Sequence, residues 1–389
     1  IATPPQNSAY TKDHWGLQES ELEEYDYHRP GMSVQGTQRH NRPGVRVSGL
    51  HSLLLAALAV WSTWTNTPAA GTIENLVRTV RSGLQARQSD EHIARAIDAT
   101  HLTERLDDEA IEQLQAEGAG RLATDALERQ RDVSYRLPPP AAPLRLFEAP
   151  AALSAEEQSR VLEQTRAWVM QYTASLPNFL CARKVSRYTK HEGPAPWQKA
   201  DTLTWEVGYA DRKDYQKLVA INGRPTQRKG ANGTASIGEF GGVMSVIFRP
   251  ESETKFQWLR WSNLRGRPTH VFSYYVDQKH ARFVLASSGW ISNHRTETAI
   301  RGSVYIDGET QHIMRLIYDA DGIPSDFPIL GLHTVVDYGY IEIREEKFLL
   351  PIRSNLRVVT NNQIDRNVTD FANYRKFTSE VKIDFVGKQ

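Results

Sequence analysis

The sequence predicts a mainly β (α+β) fold: a curved, antiparallel, unclosed β-barrel of about ten or eleven strands wrapped on helices and preceded by a small helical region. Three observations predict it. Apolar residues recur at three- and four-residue steps from Thr72 to Val133 and again from Ser154 to Tyr172, which is the helical period. Beyond Pro177 the period changes to two, the signature of half-buried strands. The hairpin dipeptides Asn222-Gly223 and Asp307-Gly308 punctuate that half, and the short connections make neighbouring strands antiparallel.

Composition bounds the rest. Of 389 residues, 40% are hydrophobic and 24% charged, enough apolar material for a packed core and too much for a disordered chain. Lys+Arg 47 against Asp+Glu 46 gives a formal charge of +1, against the basic excess of a general nucleic-acid binder. The single cysteine, Cys181, excludes an internal disulfide framework and a thiolate metal cage.

Residues 1–49 are expected to be a disordered or mis-assigned extension, with Met32 as the natural start. Leu50 to Trp64 reads LHSLLLAALAVWSTW, behind Arg39, Arg42 and Arg46 and ahead of the small residues Thr67, Ala69 and Ala70. This is the layout of a secretory signal over 50–70, cleaved near Ala70-Gly71, or of a membrane anchor if uncleaved, in which case residues 50–64 touch the membrane. Both readings place the remainder in the periplasm or cell envelope.

In the small helical region 72–133, Ile73, Leu76, Val77, Val80 and Leu84 share one helix face, and Ile93 with Ile97 and Ile111 with Leu114 mark two further short helices. Gly118-Ala119-Gly120 breaks the pattern before Leu122, Ala126 and Leu127 resume it. A Gly-x-Gly turn between helices resembles a phosphate-gripping element. Glu104, Asp107, Asp108, Glu109, Glu112 and Glu117 give it the wrong sign for a nucleic acid, so a packing or partner-docking bundle is expected.

Residues 134–152 carry Pro138, Pro139, Pro140, Pro143 and Pro150 and read as a stiff spacer. The main domain then spans 153–389. Ser154-x-x-Glu157 is a capping box opening a helix with Val161, Leu162, Trp168, Val169 and Tyr172, placed on the concave side of the sheet. Ser236-x-x-Glu239 reads as a second capping box ahead of Phe240, Met244, Ile247 and Phe248. Strands are expected at Leu203–Tyr209, Phe256–Trp261, His270–Val276 and Val304–Ile306, then over 311–319, 332–343, 347–360, 366–377 and 381–385.

Short segments in this half carry a resemblance: Leu176-Pro177-Asn178-Phe179, Gly238-Glu239-Phe240-Gly241, Phe256-Gln257-Trp258, Arg265-Gly266-Arg267, Val304-Tyr305-Ile306-Asp307, Ile323-Pro324-Ser325-Asp326-Phe327-Pro328 and Tyr374-Arg375-Lys376-Phe377. From about Thr72 to the end the chain resembles a family of uncharacterised secreted bacterial proteins, which in turn is similar in fold to the LolA/LolB/LppX group of envelope lipid and lipoprotein carriers. That resemblance implies an unclosed barrel lidded by helices over an apolar cavity for acyl chains. It transfers no functional position, since fold does not fix function.

Catalytic patterns are missing: no Gly-x-Ser-x-Gly elbow, Walker loop or His-Glu-x-x-His occurs. Ser252-x-x-Lys255 lacks the partner motifs of penicillin-binding enzymes. His270 and His312 fall on expected strands without metal-ligand spacing, Cys181 reads as a small buried hydrophobe, and Asp337 and Asp370 are placed to pair with arginines. No enzyme activity, cofactor or metal is expected. Two functions are. As a carrier, the domain would hold a lipid or acyl chain against Trp168, Trp205, Phe240, Met244, Trp258, Phe272 and Tyr274, with Arg260, Arg265 and Arg267 for a head group; exposed charges on a hairpin are the plainer account of those arginines. As an envelope scaffold, the same concavity is filled by its own aromatics and the helical region docks a protein partner.

Overall fold

The computed structural model describes residues 70–140, 151–191, 193, 196–210, 213–228, 230–231, 233–234, 238–288 and 293–376. The apolar run 50–64, its basic flank, most of the proline spacer and the expected strand at 381–385 lie outside the described residues. Everything described belongs to one compact unit, Thr65–Gln389.

Four helices come first: α1 (Ile73–Gln85), α2 (Asp90–Asp98), α3 (Asp108–Ala116) and α4 (Arg121–Ser134). Thr72, Ser89 and Asp107 cap the first three, each side chain accepting from the backbone N–H three residues on. The apolar stripes read from the sequence meet in one cluster that includes Ile73, Val80, Ile97, Leu114 and Leu127. Two-residue strands β1 (Ala70–Gly71) and β2 (His101–Leu102) pair in parallel beside them.

At the Gly-x-Gly turn the helix-start amides are taken from within the chain. Gly120 has no side chain to cap α4, and Asp90 of α2 takes that role, accepting from Leu122 N at 2.7 Å and Ala123 N at 3.0 Å. A Cβ on Gly120 would lie 2.4 Å from the Asp90 carboxyl carbon, so the glycine is there for close approach.

The next helix, α5 (Ala155–Ser175), opens on the expected capping box: Ser154 N donates to Glu157 Oε2 at 2.8 Å and Glu157 N to Ser154 Oγ at 3.2 Å. Strands β3 (Phe179–His191), β4 (Gln198–Ala210), β5 (Lys213–Ile221) and β6 (Arg224–Pro225) form one antiparallel meander. After α6 (Gly242–Phe248) a second follows: β7 (Lys255–Leu264), β8 (Arg267–Val276), β9 (Phe283–Ser288), β10 (Asn293–Asp307), β11 (Ile313–Asp321), β12 (Ile329–Ile343), β13 (Glu346–Thr360) and β14 (Gln363–Lys376), with the one-turn α7 (Gln278–Ala281) before β9. β14 pairs with β3 and joins the meanders into one twelve-stranded sheet. Its order runs β6-β5-β4-β3-β14-β13-β12-β11-β10-β8-β7, with β9 on the outer half of β10. The end strands β6 and β7 are not partners, so the curved sheet is an unclosed half-barrel.

Local expectations are corrected in four places. α6 starts at Gly242, after Gly241 at φ 99°, and has no side-chain cap; Glu239 and Phe240 form the preceding turn, and Ser236 is outside the described residues. Asn222-Gly223 makes its tight turn with φ 50° and 76°, and Arg265-Gly266 makes another with φ 52° and 81°. The β10–β11 hairpin instead has a longer loop in which Asp307 accepts from the N–H groups of Glu309 and Thr310, and Gln311, at φ 56°, takes the left-handed position. β9 is a further strand, and His312 sits in the loop before β11.

Candidate functional site

Strand alternation gives the sheet two unlike faces, and each face holds its own helices. One row of cross-strand neighbours runs Phe272–Val304–Leu316–Val336 on β8, β10, β11 and β12. These side chains pack with Val161, Val169 and Tyr172 of α5 and Met244, Ile247 and Phe248 of α6. The adjacent row, one residue along each strand, runs Tyr305–Arg315–Asp337–Arg353–Asp370 on β10 to β14. Its charges alternate in sign, and it faces α3 and α4.

All seven residues expected to meet a ligand are on the apolar side. Met244, Phe272 and Tyr274 are buried in the α5–α6 cluster, with Trp168 and Trp258 packed on its margin. Phe240 and Trp205 belong to a second cluster, where Phe240 meets Phe179 edge-tilted at 5.3 Å and Phe371 edge-on at 5.7 Å. Trp168 stacks on His312 at 4.6 Å, and His312 Nδ1 is 2.8 Å from Tyr340 Oη. Tyr274 lies opposite Gly302 and donates across it to Ile317 O at 2.8 Å, and burial holds its phenol well above the usual range. A side chain at 302 would strike that carbonyl.

The three arginines expected at a head group are elsewhere, each against carboxylates. Arg260 faces α3, at 3.2 Å from Glu109 and 3.3 Å from Glu112. Arg265, in the β7–β8 turn, reaches Asp337 at 3.1 Å and Tyr338 O at 2.6 Å. Arg267 grips Asp307 with two N–H bonds, 2.5 and 3.0 Å, and holds that carboxyl at about 2 despite the opposing effect of burial.

The polar face carries a feature of which the sequence showed only the pairing of Asp337 and Asp370 with arginines. Glu112 of α3 accepts from Arg315 at 3.3 Å and from Ser262 at 2.8 Å. Glu128 of α4 accepts from Arg366 at 2.6 Å, Asn355 at 3.1 Å and Arg353 at 3.3 Å. Asp132 lies 3.1 Å from Arg366 and from Arg131, and Asp125 pairs with Arg353. Arg121 meets Asp370 at 2.6 Å, and Arg315 closes a two-point pair with Asp337 at 2.8 and 3.1 Å. Burial opposes ionisation of Asp132 and Asp337, but the surrounding guanidinium groups outweigh it and both carboxyls are held below their ordinary range. Asp108, against Arg131 at 2.6 Å, is brought down to about 2 by the same balance. Of the acids that speak against a phosphate ligand, Glu109 and Glu112 therefore anchor the bundle to the sheet, while Glu104, Asp107, Asp108 and Glu117 bond within the bundle. The spacing Asp125-x-x-Glu128-x-x-x-Asp132, one helix face, and the alternation Arg353-x-Asn355-x-Arg357, one strand face, are the sequence signals for it.

Other candidates have structural roles. Ser252 is buried, donates to Val246 O and accepts from Arg249 Nε at 2.9 Å. Cys181 is buried on β3. Among the described residues no cluster of three or more His, Cys, Asp or Glu could hold a metal ion, and no helix is long and apolar enough to cross a membrane.

No family model matches the chain, and no curated protein matches it. Among solved structures it is similar to a DUF1329 family protein from Desulfovibrio piger ATCC 29098, at 10% identity and a TM-score of 0.27, over 57% of this chain and 93% of that one. It is also similar to a domain from Vibrio parahaemolyticus described as an outer membrane lipoprotein-sorting protein, at 8% identity and a TM-score of 0.28, over 57% of this chain and 94% of that one. At these scores neither likeness carries an argument about the fold, ligand or partner of this chain.

Proposed function

We propose that this is a binding protein of the cell envelope that holds a lipid or acyl chain between the apolar face of its half-barrel and helices α5 and α6. One observation carries the reading: the two helical layers are attached by different physics. α3 and α4 are fixed by buried, directional ion pairs that an apolar ligand cannot replace. α5 and α6 rest on the sheet chiefly through apolar packing, which is non-directional and which an acyl chain can substitute. Each buried methylene contributes roughly 0.8 kcal/mol, so a long chain can compete for this layer without any polar motif. Trp168, Trp205, Phe240, Met244, Trp258, Phe272 and Tyr274 are the proposed contacts. Arg260, Arg265 and Arg267 are not among them, being engaged by Glu109 and Glu112, by Asp337 and by Asp307.

A second reading, an envelope scaffold with a filled core, is favoured by the complete burial of Met244 and Phe272, each 0% exposed. Native mass spectrometry of protein purified without detergent separates the two. Co-purified mass in the lipid or fatty-acid range supports the carrier. A bare polypeptide mass that stays bare after incubation with fatty acid leaves the scaffold.

A further inference from the structure

The polar face is not filled throughout. Beside the first turn of α3 a cleft of about 670 Å³ opens over β7, β8 and β10, within the size range of small-ligand sites. The strand register explains it. Gln257, Ser273 and Ser303 are cross-strand neighbours with short or slender side chains, and the next row, Lys255–Tyr275–Arg301, stands taller beside them. Asp107 and Glu109 form the helix wall.

Charge narrows what such a cleft accepts. Arg260 is engaged by Glu109 and Glu112, and Asp319 by His333 Nδ1 at 2.9 Å. An anion would meet the Asp107 carboxylate beside the Glu109–Arg260 pair, and a cation would meet Lys255 beside the Arg301–Asp321 pair. Balanced donors and acceptors suit a neutral ligand that carries both on every group. With Nδ1 donating to Asp319, His333 presents Nε2 as an acceptor, and that buried atom has no hydrogen-bond partner although the residue lines the cleft. Tyr275 adds an aromatic ring, 36% exposed, at the rim. An aromatic face beside carboxylates, an amide and hydroxyls matches one face of a pyranose ring and its hydroxyl edge.

We infer that this cleft binds a neutral saccharide, stacked on Tyr275 and hydrogen-bonded by Gln257, Ser303 and the α3 carboxylates. The site opens beside α3 rather than under α5 and α6, although Phe256, Tyr274 and Ile317 of the apolar layer also line it. The test is saturation-transfer NMR and calorimetry on the full chain with glucose, maltose and N-acetylglucosamine, alongside glucose 6-phosphate and glucosamine as charged counterparts. At least one neutral sugar is expected to bind, with affinity falling by about tenfold or more in Ser303→Trp, which fills the floor, and in Tyr275→Ala. Tyr275→Ala alters only an exposed rim and keeps the test open if the tryptophan variant does not fold. No binding of any neutral sugar, tighter binding of a charged counterpart, or wild-type affinity in a folded variant overturns the proposal.

Discussion

Arg366 of β14 places its guanidinium 2.6 Å from Glu128 and 3.1 Å from Asp132, both on α4, with only 1% of its side chain exposed. The three residues come from ends of the described chain more than two hundred positions apart, and their contact makes the helical region part of the half-barrel. Charges buried this deeply are costly to desolvate, and here Glu128 accepts from Arg366, Arg353 and Asn355, while Asp132 accepts two bonds from Arg131 and lies in ion-pair range of Arg366 and Arg357.

Removing that arginine leaves two buried carboxylates short of partners. Arg366→Met is expected to destabilise the protein by about 3–5 kcal/mol in urea unfolding, with Glu128→Gln in the same background recovering part of the loss. A loss under about 1 kcal/mol would mean that the α4 interface is solvated.

The α2–α4 joint gives a sharper steric test. Gly120→Ala is expected to cost about 1–3 kcal/mol, because the new methyl meets the Asp90 carboxylate rather than a strained backbone. Asp90→Ala alone should cost about 1 kcal/mol through the lost cap. In the double variant the costs should be less than additive, as read by thermal unfolding.

Acid should weaken the buried ion pairs inside the bundle and the sheet as well as those between them. Asp108 has its folded value lowered to about 2, and an ordinary aspartate titrates near about 3.9. A lowered folded value gives stability that is fully present above the unfolded value and is lost as pH falls toward the folded one. Unfolding midpoints measured in urea should therefore drop between about pH 4 and pH 2. Asp132, Asp319 and Asp337, all lowered, add to the same limb. Asp108→Asn should flatten it while lowering stability at neutral pH.

On the apolar face, Phe272→Ala removes a wholly buried ring from the layer under α6. The expected cost is about 3–5 kcal/mol of unfolding free energy. Under the carrier reading the vacated volume favours ligand, so added fatty acid should restore more thermal stability to this variant than to the wild type.

The elements were largely legible because each announces itself locally. The capping box at Ser154, the helical spacing of Ile93 and Ile97, and the alternation of Leu203 to Tyr209 all report on residues within a few positions. β9 and the outer half of β10 were not, since Phe283 to Leu285 are consecutive apolar residues and residues 293–298 are polar throughout, leaving no period of two. The face of each strand side chain could be read from alternation, which is why Trp205, Trp258, Phe272 and Tyr274 lie on one side. Their company could not. Arg315, Asp337 and Arg353 become neighbours only through strand register, and register depends on turns, bulges such as that between Asp337 and Tyr338, and the return of β14 to β3. The same long-range pairing hid the purpose of the acids on α3 and α4.

The difference between the two helical layers is tested most directly by amide hydrogen exchange on the full chain, with and without palmitate. The expected result is altered exchange at residues 161–172 and 242–248, with residues 108–134 unchanged. Binding of palmitate with no change in α5 and α6, or with the change confined to α3 and α4, would contradict it.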